Sequence, residues 1–332
     1  MRRLALLLAI ALPMSAQFRE SITVVRVLVD VRVTDYSGNP ISDLTATDFD
    51  VKIGGKRAEV ESVQFIRRAD VPSAPSPVAD GTSALQGHLF VVFVQTDFAR
   101  HPARVHGQMN FLRYADRMIA ALAPEDRIAV FQFDSHLKFR LDFTSDKDAV
   151  RAALRETLRT NIPPPPPLVP NPALAPFLDR EAMRRAADSE RGLLLVGDAL
   201  RNIAGPKTML LFGWGLGRWS RGVVWMTRDY EKARRALDAA RTSIFALDTM
   251  HADYHDLELG LMTAAEDTGG FYAKTHVFPQ IAVERLQRTL AGHYELELRR
   301  PNDLEPGTHD LRIRVKRRGV TVLAPSSYMD RH

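Results

Sequence analysis

The sequence predicts an α/β protein: a doubly wound, mostly parallel sheet flanked by helices, plus a small β-sandwich made by strands from the two ends of the chain. Three observations predict it. Leu89 to Val94 is an unbroken apolar, β-branched run, the pattern of a strand covered on both faces. Across residues 88–291, such runs alternate with segments whose apolar residues recur at helical spacing, as a parallel sheet with crossover helices requires. On either side of that region apolar and polar residues alternate one by one, the period of strands with one covered face.

Residues 1–16 read as a secretory signal: Arg2-Arg3, an apolar core from Leu4 to Leu12, and Ser15-Ala16 before Gln17. The core is about half the ~20 residues that a spanning helix needs. The chain is therefore expected to be exported, to the periplasm or the exterior, with no transmembrane segment once mature. Residues 17–70 form the N-terminal β region: a Val-rich strand at 24–34, a turn at 35–40, an alternating strand at 49–53 and another from Ala58 to Ile66. Residues 71–87, rich in Pro and Ser, are a linker. In the α/β region, strands are expected at 89–94, 127–133, 137–143, 207–212, 243–247 and 271–273. Helices are expected near 103–122, from a cap at Ser145, at 177–203 as one helix or a pair, and at 228–241, 257–268 and 279–290. The prolines from Pro163 to Pro167 exclude helix there. Residues 292–332 return to β and are expected to pair with 17–70.

Composition narrows the function. The 332 residues are 45% apolar and 26% charged, which suits a packed globular chain. The formal charge of +5 is spread along the sequence without aromatic-basic interleaving, so nucleic acid is not an expected partner. Absence of cysteine excludes disulfides, thiolate metal sites and a cysteine lipid anchor. No Gly-x-Ser-x-Gly elbow is present, and Gly213 to Gly217 lacks the Lys-Ser/Thr of a nucleotide loop.

Four segments in order carry a resemblance. They are Val31-Arg32-Val33-Thr34-Asp35 with Gly38, Pro40, Leu44, Asp48 and Phe49; Gly205-Pro206-Lys207 leading into Thr208 to Phe212; Ala265-Glu266-Asp267-Thr268-Gly269-Gly270; and Tyr294-x-Leu296 followed by Ile313-x-Val315-Lys316 and Tyr328. Together the chain resembles the exported, von Willebrand factor A-related proteins of soil bacteria over nearly its whole mature length. The resemblance implies a non-enzymatic module that binds other macromolecules, and it leaves the partner open.

It also implies a metal site, which this chain does not keep. The family places Asp-x-Ser-x-Ser after the first central strand, a Thr on a second loop and an Asp on a third, all hard oxygen ligands for a divalent ion. Here the first strand runs into Gln95-Thr96-Asp97-Phe98-Ala99-Arg100-His101. In one register Gln95, Asp97 and Ala99 take the three positions; in the other Asp97, Ala99 and His101 do. The Thr position falls near Leu194 by spacing, and the last Asp position at Gly213. No cofactor is expected, Mg²⁺ included.

Two other constellations remain. Asp248, His251, Asp253 and His255 follow a strand at the same edge and present ligand types for a transition metal, which would make a metal-assisted hydrolase. The plainer reading has Asp253 or Asp256 capping the next helix. Trp214, Trp219 and Trp225, the chain's only tryptophans, cluster with Arg218, Arg221 and Arg228, residue types enriched at binding hot spots. Trp214, Trp219, Arg218, Arg221 and Asp97 are thus the candidate binding residues, and Trp225, which follows Val223-Val224 in an expected short apolar turn, is the tryptophan expected to be structural. The expected function is an exported, non-catalytic interaction module gripping a protein or cell-envelope macromolecule at the sheet's carboxyl edge. A structural envelope component is the third reading.

Overall fold

The computed structural model describes residues 26–68, 87–96, 114–157, 170–276 and 279–330. The elements run β1 (Arg26–Thr34), β2 (Phe49–Ile53), β3 (Lys56–Arg67), β4 (Leu89–Gln95), helix α1 (described over 114–120), β5 (Arg127–Phe133), β6 (Leu137–Thr144), α2 (Lys147–Glu156), α3 (Arg180–Arg184), α4 (Ser189–Leu200) and β7 (Lys207–Gly213). They continue β8 (Arg218–Ser220), β9 (Val223–Trp225), α5 (Arg228–Ala239), β10 (Thr242–Asp248), α6 (Glu258–Asp267), β11 (Tyr272–Lys274), α7 (Pro279–Thr289), β12 (Gly292–Arg299), β13 (Thr308–Val315), β14 (Thr321–Leu323) and β15 (Ser327–Met329). Among the described residues no helix is long and apolar enough to cross a membrane. The expected signal at 1–16, the expected linker up to residue 86 and the proline run lie outside the described residues.

The central sheet has the order β11-β10-β7-β4-β5-β6, parallel except for β6, which pairs antiparallel with β5 at the edge. Counted from β4, this is the doubly wound 3-2-1-4-5-6 order. Because side chains alternate faces along a strand, each central strand feeds two cores. Val91, Phe93, Met209, Leu211, Ile244 and Ala246 meet α4, α5 and α6 on one face. Phe90, Val92, Leu210, Phe212, Phe245 and Leu247 meet α1, α2 and α7 on the other. That double burial explains the apolar runs. The cap of α2 is Asp146, which accepts from the Asp148 and Ala149 amides; the expected Ser145 is one residue early.

The second sheet has the order β14-β1-β12-β3-β2-β13-β15, interleaving strands from both ends of the chain. Val27, Val29, Val31 and Val33 point into its core with Tyr294, Leu296, Leu298, Val51 and Ile53. The other face of β1 turns towards the central unit. Asp30 of β1 lies opposite Glu295 of β12 in register. Arg241, just past α5, donates from Nε and Nη2 to Asp30 at 2.9 and 2.6 Å and also binds Glu295. Arg241 has φ +52°, a left-handed conformation usually left to glycine at the residue after a helix cap. Buried Arg32 donates to Ser243 Oγ at 3.2 Å and stacks on Phe245. Burial, with Arg32 beside it, pushes His293 down to about 4, so the ring is neutral.

The Ala265–Gly270 segment is explained by the same junction. Thr268 Oγ1 donates to Ala264 O and accepts the Ile244 amide, tying α6 to β10. A Cβ on Gly269 would stand 2.7 Å from the Ala324 carbonyl carbon, so only glycine lets the two backbones approach. Asp267 then accepts from Tyr230 OH at 2.6 Å and Ser326 Oγ at 2.9 Å.

Arg241→Ala would leave Asp30 and Glu295 facing each other without a counterion. Breaking such a buried pair costs about 3 kcal/mol, the lower end of the usual range because Glu295 is partly solvated. Urea unfolding should show that loss, with Arg241→Lys recovering only part of it.

Asp238, bound by the Ser327 hydroxyl at the same junction, is pushed up to about 7 by burial. An unfolded chain releases that proton near about pH 4. Between those values the folded state holds the extra proton, so its contribution to stability falls as pH rises through the window. Asp238→Asn should melt above the wild type at about pH 8 and together with it near about pH 4. A constant difference across that range would contradict the assignment.

Candidate functional site at the carboxyl edge of the central sheet

β4 and β7 are neighbours, and their crossovers lead to opposite faces of the sheet. Their carboxyl ends therefore flank the topological switch point, where open α/β sheets bind ligands. Gln95 ends β4 and is 1% exposed. Its Oε1 accepts the Trp214 amide at 2.8 Å and the Gly215 amide at 3.3 Å, and its Nε2 donates at 2.8 Å to both Ser189 Oγ and Gly215 O. One neutral amide, both donor and acceptor, thus gathers the two loops beside it. A Cβ on Gly213 would stand 2.3 Å from Gln95 Oε1, so the glutamine, as held here, leaves no room for a larger residue at 213. Thr96 is fully buried and accepts from Gln132 Nε2 at 2.6 Å.

Asp97 and Ala99, with the alternative position His101, lie outside the described residues. Leu194 does not sit on a loop. It lies midway along α4 and is buried in the core with Phe93. The helix lies inside the expected 177–203 segment, with Asp188 capping it and Ser189 as its first residue. Ser189 is the residue that faces Gln95, and it is an oxygen side chain which the sequence reading missed.

Beyond Gly213 the chain crosses Trp214 to Gly217 and forms an unexpected hairpin, β8–β9. Arg221 and Gly222, both with positive φ, make its two-residue turn, the geometry that matches strand twist. Trp214 is half-buried at its base. Trp219 is 55% exposed and Val223 51%. Trp225, expected to be structural, is the most exposed tryptophan at 64%, because Val223 and Val224 belong to a projecting strand rather than an apolar turn. Arg218 and Arg221 are exposed too, and neither forms an ion pair among the described residues. Glu190 is buried beneath the hairpin and accepts the Gly217 amide at 2.6 Å, and burial raises its pKa.

The 248–256 cluster divides into two. Asp248 ends β10 at 1% side-chain exposure, accepting the Met250 amide at 2.8 Å and Tyr272 OH at 2.6 Å, with His255 Nε2 2.7 Å from Oδ2. His251 and Asp253 turn away to His276, the rings of His251 and His276 lying 5.9 Å apart and His276 Nε2 3.1 Å from Asp253 Oδ1. Glu258 joins Asp248 and His255 instead, with Lys274 Nζ 2.7 Å from its Oε2. Burial, followed by Asp248, raises the Tyr272 pKa, so its phenol remains a donor. Neither Asp253 nor Asp256 caps α6; its N-cap is Leu257, without a side-chain bond. The expected helix start at 257 is matched within one residue; Glu258 was not among the candidate ligands, although His255-x-x-Glu258 has the i, i+3 spacing.

No protein-family model and no curated protein matches the sequence. Solved structures similar to the chain include a von Willebrand factor type A protein from Catenulispora acidiphila (11% identity, TM-score 0.42, covering 88% of this chain and 75% of that one). Another is the conserved hypothetical protein BatB from Bacteroides thetaiotaomicron (9% identity, TM-score 0.38, 61% and 98%). A third is manganese-loaded TRAP protein from Plasmodium vivax (9% identity, TM-score 0.39, 79% and 96%). The assignment itself stands on strand order and the helix layers. The fold is von Willebrand factor A-like.

Gln95→Ala should be destabilising by about 1–3 kcal/mol, since it strands buried donors and acceptors of the 214–215 loop and Ser189. Chemical denaturation measures the loss, and hydrogen exchange at the Trp214 and Gly215 amides should rise with it. Unchanged exchange there would mean that the loop is held by something else.

Proposed function

We propose that this chain is an exported, non-catalytic interaction module that holds a macromolecular partner of the cell envelope through the β8–β9 hairpin. In this reading the divalent ion of related adhesion sites is replaced by the Gln95 amide, so the grip is apolar and cationic. The observation that carries the reading is the hairpin itself: two largely exposed tryptophans flanked by arginines, projecting beside the switch point. Monomeric surfaces rarely leave such side chains uncovered in one place without a binding role. Tryptophan and arginine are also the side chains whose truncation costs most at interfaces. The signal-like residues 1–16 support export, and the paired Trp-Arg chemistry suits an anionic partner.

The test begins with capture from the native envelope fraction and proceeds to a measured affinity for the purified partner. Trp219→Ala and Trp225→Ala should each weaken binding about 30-fold, the equivalent of a hot spot of about 2 kcal/mol, while the circular dichroism spectrum stays unchanged. Added Mg²⁺ should leave the affinity unaltered. Full affinity in both folded variants would place the interface elsewhere on the molecule.

A further inference from the structure

We propose that Asp248, His255 and Glu258 form a binding site for a divalent transition ion of the Zn²⁺ type, separate from the switch-point position that Gln95 fills. The three come from different places in the fold: the last residue of β10, the loop after it, and the first residue of α6. One ligand atom from each lies within 4.8 Å of the other two. Two ligands on a tetrahedral Zn²⁺, each at about 2.1 Å, stand about 3.4 Å apart. Closure therefore needs side-chain movement on the order of 1 Å.

The donor set selects the ion. One imidazole with two carboxylates suits a borderline ion, whereas Mg²⁺ takes oxygen ligands and keeps its waters. The side chains are enclosed, at 1% exposure for Asp248, 10% for His255 and 9% for Glu258. They are also oriented from behind. The Met250 amide holds Asp248 Oδ1, and Tyr272 OH lies 2.6 Å from Asp248 Oδ2 and 3.3 Å from Glu258 Oε2, an arrangement of outer partners that good metal ligands share. The neighbouring His251, Asp253 and His276 differ in this respect, since the Asp253 side chain is 99% exposed.

The site already attracts a cation. Lys274 places its ammonium 2.7 Å from Glu258 Oε2 and also donates to the Asp253 carbonyl, with its side chain 31% exposed. An ion and this ammonium would compete for the same negative charge. The occupied site would also brace the hairpin, because Leu257 lies against Gly215 and Gly260 against the Leu216 carbonyl.

The experiment titrates Zn²⁺ into untagged, chelator-treated full-length protein by calorimetry, with Mg²⁺ as the control and Co²⁺ absorption as a report on coordination. The expected result is saturable binding of a single Zn²⁺ and no heat from Mg²⁺. Glu258→Gln and His255→Ala should each weaken binding at least about tenfold. Lys274→Met should tighten it by removing the competing ammonium, and His276→Ala should leave it unchanged. Near-ultraviolet dichroism checks the fold of each variant, and Lys274→Met on the protein surface decides the matter if His255→Ala does not fold. Absence of saturable heat, loss of binding in His276→Ala, or a Lys274→Met affinity no tighter than wild type would overturn the proposal.

Discussion

Two carboxylates set directly opposite each other on adjacent strands govern how this molecule is assembled. Asp30 and Glu295 are cross-strand partners in β1 and β12, and like charges so placed push the strands apart. Their counterion, Arg241, comes from the central unit. The terminal sheet is thus electrostatically complete only when docked, and the docking geometry is narrow because a planar guanidinium binds a carboxylate in a fixed fork. Arg241 keeps a left-handed backbone to reach them, a local cost that the ion pairs offset. Arg32, Asp267, Ser326 and Gly269 extend the same junction, so neither sheet floats against the other.

With the sheet held from behind, its carboxyl edge can be built for rigidity. Gln95 does for the loops what an ion does in a metal-dependent domain: it collects groups from neighbouring segments at one point. The difference lies in what remains available. A metal keeps a coordination position open for an outside carboxylate, whereas an amide with its donors and acceptor engaged offers nothing outward. In the proposed reading the grip on a partner comes from side chains beyond this point, on the hairpin.

The fold was legible because burial on two faces leaves an unmistakable record. The runs at 89–94, 209–212 and 244–247 are apolar throughout, and helices such as α2 show their inner face as Val150, Ala153 and Leu154. The resemblance motifs were legible as well, and Thr268 and Gly269 now have physical reasons. The site was read less well, since its errors were errors of position by a few residues. Counting the Thr position by spacing put it at Leu194, inside a helix, and overlooked Ser189. The ligand cluster was taken to end at Asp256, which left out Glu258 at the first residue of α6. Taking Val223-Val224 as an apolar turn buried Trp225, although Arg221-Gly222 between two short β-prone stretches was a hairpin signal. Helix ends and short hairpins depend on a few backbone hydrogen bonds, and hydrophobic periodicity does not report them.

The interleaving of β1, β12 and β3 has a consequence for the order of events during folding. β1 finds its hydrogen-bonded neighbour only after some 260 residues of intervening chain, and β3 waits for the same strand. Pairings of such sequence separation close late, because the loop entropy is spent before the contact rewards it. The central unit, whose strands lie much nearer to one another in sequence, can be complete while the valines of β1 still lack their covering strand. A chain made or threaded from its N-terminus therefore carries an unsatisfied β edge for most of its emergence, and β12, almost the last element to appear, is the one that closes it.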